Sequence, residues 1–291
     1  MSHVSVLLEP ALEFLAIRPD GIYVDATFGA GGHTRAMLER ISGTGRVIAL
    51  DSDPTAVERA RARDSSHLIF ASANFRRLAD VLDELGVAQV DGVLFDLGVS
   101  SMQFDEAYRG FSLSKDGPLD MRMNPHAGKS AYEVLATASE RELADIFFEY
   151  GEERSARRIA RSIVERRSIG ALPTTTTDFA KLVAGAVHRP GHRERIHPAT
   201  RVFQALRIAV NDELDALRDG LDSAVGRLRG AGRVVAISFH SLEDRIVKRK
   251  FREDSRLNVL TKKPVTPDEG ECEENPRARS AKMRAAERKA G

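Results

Sequence analysis

The chain has no tryptophan and only one cysteine in 291 residues. The lone thiol, Cys272, excludes an internal disulfide and a cysteine-built zinc site. Aromatic residues make up 6% of the chain, so any surface that stacks on bases has few rings to use. Charge of one sign is also missing: 44 Lys/Arg against 43 Asp/Glu leave a formal net charge of +1. A uniformly basic coat is excluded, and a polyanion would have to meet a local cluster. No apolar run approaches the roughly 18 residues of a membrane span, and no apolar leader region opens the sequence. A cytoplasmic protein without membrane or secretory segments is therefore expected. What remains is an ordinary globular composition, 42% hydrophobic and 30% charged, long enough for one large domain or two medium ones.

The first half alternates strand and helix patterns. Residues 22–24 are apolar and end on Asp25. A glycine cluster follows at Gly29, Gly31 and Gly32, and then a helical pattern with Met37, Leu38 and Ile41 on one face. In an open α/β sheet such a turn lies at the carboxyl end of its strand, where ligands bind. Residues 3–15 read as an amphipathic helix before it, with His3 as a surface histidine. Further strands are expected at 45–51, 67–71 and 91–96, the first and last of these again ending on carboxylates, Asp51 and Asp96. Helices are expected between them, one over 78–85. The strands are continuous apolar runs, which indicates a parallel sheet covered on both faces. The expected class is α/β, with a doubly wound, mostly parallel sheet.

The alternation breaks after Gln103. Residues 103–128 are turn-rich, and 130–170 are helical and charged. A helix entry is expected at Thr177 or Asp178, and no strand is apparent until 232–239. A helical insert over 106–207 is therefore expected to interrupt a domain formed by 1–105 and 208–291. The insert is locally basic, with twelve Lys/Arg against five Asp/Glu between Gly151 and Arg207. Arg154, Arg157, Arg158 and Arg161 fall within two turns of one helix. Arg189, Arg193, Arg195, Arg201 and Arg207 extend the cluster toward a phosphate footprint. His188, His192 and His197 are spaced like metal ligands, but Pro190 and Pro198 interrupt any helix there and no acidic pair completes a set, so no metal is expected. The tail after 261 reads as a loop, then a mobile acidic stretch over 268–274. A basic segment follows that forms either a last strand or an extended arm.

Three carboxylates at one sheet edge repel one another unless a ligand or hydrogen bonds offset them. Asp51 lies twenty residues beyond Gly31, the spacing of a ribose-binding acid. That suits NAD or S-adenosylmethionine. The third glycine of the dinucleotide fingerprint falls at Thr34, which argues against a pyrophosphate. Carboxylates facing the turn suit an ammonium and a sulfonium. S-adenosylmethionine is therefore preferred over a nicotinamide cofactor. An oxidoreductase and a non-catalytic RNA-binding factor are the rival readings.

Longer motifs then bear on the family. They are Asp25-Ala-Thr-Phe-Gly-Ala-Gly-Gly-His33, Asp91-Gly-Val-Leu-Phe-Asp-Leu-Gly-Val-Ser-Ser-Met-Gln103, Arg109-Gly-Phe-Ser112 and Asp116-Gly-Pro-Leu-Asp-Met-Arg-Met-Asn-Pro125. His197-Pro-Ala-Thr-Arg-Val-Phe-Gln-Ala-Leu-Arg207, Ile237-Ser-Phe-His-Ser-Leu-Glu-Asp-Arg245 and Asn275-Pro-Arg-Ala-Arg-Ser280 continue the series. Together, from Val4 to about Arg288, the chain resembles the bacterial ribosomal RNA small subunit methyltransferase H family, also called MraW. The resemblance implies a class I, Rossmann-like methyltransferase domain interrupted by a helical substrate-recognition domain. It implies methyl transfer from S-adenosylmethionine to N4 of the decoding-centre cytidine of 16S ribosomal RNA, the one that ends as N4,2′-O-dimethylcytidine. Its cofactor contacts carry over to Gly31, Gly32, His33, Asp51, Phe75, Asp96 and Gln103. Ala26 stands where many members have glycine.

Each position then has an expected role. Gly31 and Gly32 let the backbone approach the methionine portion, Asp51 accepts from the ribose, and Phe75 packs on the adenine. His33 is expected to contribute its backbone N–H rather than its ring. Asp96 holds the methionine ammonium or accepts from the target amine, and is the candidate catalytic residue. Gln103 offers a donor and an acceptor. Phe104, Tyr108, Phe111 and Phe239 are candidate partners for an unstacked base. With Cys272 in the tail and no Pro-Cys motif, a covalent thiol adduct is not expected. Whether free RNA or an assembled small subunit is the substrate stays open, as does monomer against homodimer.

Overall fold

The computed structural model describes residues 5–63, 65–187 and 197–290. His3, His188, Arg189, His192, Arg193 and Arg195 lie outside them. The chain divides into two compact units, Met1–Gly98 with Leu214–Gly291, and Val99–Glu213.

The first unit opens with α1 (Leu8–Leu15), β1 (Ile22–Asp25), α2 (Gly32–Leu38), β2 (Arg46–Asp51), α3 (Ala56–Arg61), β3 (Leu68–Ser72), α4 (Leu78–Glu84) and β4 (Val90–Asp96). The second unit carries α5 (Ser101–Asp105), α6 (Ala131–Thr137), α7 (Glu140–Glu149), α8 (Ala156–Ser168), α9 (Thr176–Val187) and α10 (Thr200–Asn211). The first unit resumes with α11 (Glu213–Arg227), β5 (Leu228–Ser238), α12 (Ser241–Glu253), β6 (Leu257–Val259), α13 (Glu269–Glu274) and β7 (Lys282–Arg288).

Among the described residues seven strands form one sheet, in the order β3-β2-β1-β4-β5-β7-β6. The strands β1 to β5 pair in parallel, and β7 runs antiparallel between β5 and β6. Successive side chains point to opposite faces, and both faces are apolar. Val24, Ile48, Val93, Phe95 and Val234 pack on one side with Leu217, Leu221 and Phe251. Tyr23, Val47, Leu94, Val235 and Met283 pack on the other with Leu12, Leu15 and Met37. The register between β1 and β4 is pinned at the far end by Asp91, buried, whose Oδ2 accepts from Ile22 N at 2.8 Å and which pairs with Arg18 and Arg229.

The second unit has its own apolar core. Leu135, Phe147, Ile159, Ile163, Phe179 and Leu206, all buried, come from α6 to α10. Both α6 and α7 begin on capping boxes, Ser130 with Glu133 and Ser139 with Glu142. The unit ends differ from the expected boundaries at 105 and 207. Val99 and Phe104 pack on the second core, and Glu213 accepts a two-pronged bond from Arg207, so both ends belong to it.

The tail differs too. Residues 269–274 form the helix α13: Asp268 caps it by accepting from Glu271 N, and Glu271 Oε1 accepts from Leu7 N at 2.7 Å. Cys272 therefore sits in a helix, partly buried. The segment beyond becomes β7, because Met283, Ala285 and Ala286 are buried in the sheet and Arg284 is paired with Asp244. The helix α9 starts at Thr176, within one or two residues of the entry expected near Thr177 or Asp178, and α1 starts at Leu8. No helix of the described residues is long and apolar enough to cross a membrane.

Candidate active site at the carboxyl edge of the sheet

Parallel strands bring their carboxyl ends to one edge, and β1, β2 and β4 end there on Asp25, Asp51 and Asp96. Between β1 and α2 the backbone turns sharply. Gly29 and Gly31 have φ of 51° and 73°, in the left-handed region. A Cβ on Gly31 would lie 2.6 Å from Arg63 Nε and 2.7 Å from the Phe28 ring. Arg59 and Arg63 hold the turn from outside, donating to the carbonyls of Gly29 at 3.0 Å and Ala30 at 2.7 Å. Gly32 is crowded by Ser5, whose Oγ would be 2.0 Å from an added Cβ. That residue therefore also has a packing reason to be glycine.

Asp25 is buried and organises the turn. Its Oδ1 accepts from Thr27 N at 3.1 Å and its Oδ2 from Thr34 Oγ1 at 2.6 Å. Thr34 is the residue standing where a dinucleotide turn has its third glycine. Here its hydroxyl ties α2 to β1 instead. Burial raises the Asp25 carboxyl to about 6, with the two threonine bonds working against that rise. Asp51 accepts one backbone N–H on each oxygen, from Asp53 at 2.8 Å and from Gly29 at 2.7 Å. Each oxygen keeps a further lone pair for a hydroxyl donor. Burial pushes its pKa up, and the backbone bonds oppose this.

Asp96 stands at the end of β4. Its backbone N–H donates to Thr27 Oγ1 at 2.7 Å, which locks the end of β4 to the turn. Its Oδ1 is buried with no hydrogen-bond partner among the described residues. Burial first, then the negative charges of Asp25 and Glu243, hold this carboxyl well above the ordinary carboxylate range. A buried acceptor without a donor is costly and is a mark of a ligand site. The ring of His33 reaches the same place, with Nδ1 3.5 Å from Asp96 Oδ2 and Nε2 3.2 Å from Val6 O. His33 thus presents its imidazole to the edge, not its backbone alone.

Of the expected residues, Gly31, Gly32, His33, Asp51 and Asp96 all lie at this edge. Phe75 follows β3, partly buried. Its ring meets Phe95 edge-on at 5.6 Å, and Gly220 of α11 leaves room for it. Gln103 belongs to the second unit, where it is buried and its side chain closes the capping box of α5 with Ser100. Among the candidate rings, Phe111 is a buried core residue, Phe104 packs edge-on to it at 6.4 Å, and Phe239 is half-buried against the first unit's core. Tyr108 alone is largely exposed, at 60%. Sequence reasoning gave no role to Thr27 or Glu243, and took Thr34 only as the missing third glycine. The Glu243 carboxylate is buried, and its Oε2 accepts from Phe239 N at 2.8 Å and His240 N at 3.3 Å. The available signal was a glutamate early in the helix after the last parallel strand.

The basic cluster of the second unit is only partly a free surface. On α8, Ile159, Ala160 and Ile163 face the core while Arg157, Arg158 and Arg161 are exposed, as is Arg154 before the helix. Arg167 instead donates to the carbonyls of Leu135 and Ala138. Arg207 is committed to Glu213 at 2.8 Å and leaves the footprint. His197 uses Nδ1 to accept from Ala199 N.

The edge fits a cationic ligand that brings hydroxyl donors. It offers an orphaned acceptor at Asp96, spare lone pairs at Asp51 and a glycine cradle with no room for a Cβ. The sheet order, with its one antiparallel strand, and this turn flanked by carboxylates define a class I S-adenosylmethionine-dependent methyltransferase domain. A model of the MraW methylase family matches residues 1–289, and the chain belongs to that family. Among its relatives, ribosomal RNA small subunit methyltransferase H of Thermomicrobium roseum is 50% identical over 308 residues, covering 99% of this chain and 94% of its own. The protein of the same name from Koribacter versatilis is 49% identical, covering 99% and 94%. That from Desulfotalea psychrophila is 47% identical, covering 98% of each. A solved structure titled as an rRNA methylase from Streptococcus thermophilus aligns over 99% of both chains with a TM-score of 0.47 and 12% identity.

Proposed function

We propose that this chain transfers a methyl group from S-adenosylmethionine to N4 of the decoding-centre cytidine of 16S ribosomal RNA, the base that ends as N4,2′-O-dimethylcytidine. Relatives at about half identity over nearly their whole length carry the small-subunit ribosomal RNA activity in their names. The single observation that carries the amine as target is the unpartnered Oδ1 of Asp96 at the centre of the edge. The bound cofactor supplies an electrophilic methyl on a sulfonium with a good leaving group. The protein has mainly to place the nucleophile in line and remove a proton. An exocyclic cytosine amine is a weak nucleophile because its lone pair is delocalised into the ring. A carboxylate accepting from that amine favours the pyramidal nitrogen that attacks.

In this reading Gly31, Gly32 and the backbone N–H of His33 receive the methionine portion, Asp51 the ribose hydroxyls and Phe75 the adenine. The helical unit, expected over 106–207, recognises the substrate, with Arg154, Arg157, Arg158 and Arg161 toward phosphates. The substrate is ribosomal RNA within the small subunit, and the protein works in the cytoplasm without a metal.

The test is methyl transfer from tritiated S-adenosylmethionine to small subunits purified from a strain lacking the enzyme. Digestion to nucleosides and mass spectrometry then locate the label. N4-methylcytidine at the decoding centre is expected. Label at C5 or on a ribose, or no incorporation into subunits or free RNA, would sink the proposal.

A further inference from the structure

His33 was expected to act through its backbone, yet its ring is buried between two acceptors. The Nε2 atom lies 3.2 Å from the carbonyl oxygen of Val6. A carbonyl only accepts, so Nε2 carries the ring proton and donates. In the neutral ring Nδ1 is then a lone pair, and it faces Asp96 Oδ2 at 3.5 Å. Two acceptors thus confront each other when Asp96 is ionised, and that arrangement is stabilised by taking up one proton. The other oxygen of Asp96, Oδ1, is buried without a partner among the described residues. Among the described residues, the negative charges that act on Asp96 are Asp25 from β1 and Glu243 from α12, and both favour proton uptake. His240 lies 3.2 Å from Glu243 on the same side.

Resting on the proposed N4-methylation, we propose that Asp96 and His33 work as a pair that takes up the proton shed by the target amine, with Asp96 receiving it and His33 as the positioning residue that shares it. In the step, the amine lone pair forms the N–C bond. The C–S bond breaks with its electrons going to sulfur, and one N–H proton passes to the Asp96 carboxylate. That proton is then shared with His33 Nδ1 and lost to water, which returns the pair to its starting form. Nε2 keeps its bond to Val6 throughout, so the ring does not turn.

The first experiment needs no activity. Nitrogen NMR of histidine-labelled full-length chain reads the tautomer and titration of His33, in wild type and in Asp96→Asn. The expected result is a protonated Nε2 at high pH and a His33 midpoint at least one pH unit lower in the variant. A protonated Nδ1, or the same midpoint in both proteins, would overturn the pairing. The second uses His33→Gln, whose side-chain amide keeps a donor for Val6 without a titrating group. Expected are S-adenosylmethionine affinity within about threefold of wild type, kcat lower by roughly 100-fold, and a kcat–pH profile whose acid limb is displaced toward lower pH, because the protonated pair has lost its second acceptor. Unchanged kcat and profile would reject the role, as would loss of cofactor affinity with kcat intact. If the wild type methylates a site other than N4 while the NMR result holds, the pairing survives and the substrate reading fails.

Discussion

Asp25 shows how one buried carboxylate ties stability to pH. Its pKa rises on folding from 3.8 to about 6, because burial outweighs its bonds to Thr27 and Thr34. The unfolded chain therefore ionises first as pH rises. The stabilising contribution is complete below about pH 4 and is lost as pH passes through 6, at about 3 kcal/mol in all. In urea unfolding of the chain without cofactor, the stability of wild type relative to Asp25→Asn should fall by up to that amount between pH 4 and pH 7. A constant difference would show that Asp25 is ionised in the fold throughout. Gly31 gives a second test. Alanine there must adopt φ near 73° and displace Arg63 or Phe28. The variant should lose about 1–3 kcal/mol, seen as a lower Tm, and should bind S-adenosylmethionine more weakly in calorimetry. Neither the role of Thr34 nor that of Glu243 was legible in the sequence, for a physical reason. Each acts through a hydrogen bond or a field across the sheet edge, and separation along the chain carries no trace of that.

Among the elements, the buried strands were the legible part. Each of β1, β2 and β4 is an apolar run, because a parallel strand covered on both faces has no polar side to show; the edge strand β3 is apolar too but only partly buried. The last strand was legible only as one of two alternatives, a strand or an extended arm, for the opposite reason. In β7 the buried side chains are Met283, Ala285 and Ala286, set among Lys282, Arg284, Glu287 and Arg288. A short alanine-rich strand with charged neighbours has the composition of a solvated tail, and only the Arg284–Asp244 pair makes its charge tolerable inside. The helix in the acidic segment before it was not legible for a similar reason. Its cap at Asp268 and its bond to Leu7 lie outside any periodic pattern. In the second unit the sequence reading placed a helical stretch from residue 130, but not the capping boxes at Ser130 and Ser139, whose signal is serine followed three residues later by glutamate. The α8 arginines permit a test at this scale. Replacing Arg157 and Arg158 by glutamate should weaken RNA binding and flatten its dependence on salt by about two phosphate contacts. Cofactor affinity should not change, and an unaltered salt dependence would remove this face from the footprint.

The whole molecule is two cores on one chain. The apolar cluster of Val99–Glu213 is drawn from its own helices, with Phe147, Phe179 and Ile163 fully buried among them. A fragment of residues 99–213 should therefore unfold cooperatively when heated alone. A broad, gradual loss of helical signal would show that it needs its host. The host cannot be cut so freely, since it is built from both ends of the sequence, 1–98 and 214–291. The place of β7 has a consequence for synthesis. Strand β6 is made first, yet its partner in the sheet is β7, which enters between it and β5. While the ribosome is still translating past residue 260, β5 has one bare edge and β6 has nothing to pair with. The sheet closes only when the later segment arrives, so a nascent chain stalled before residue 282 presents an open strand edge to its neighbours.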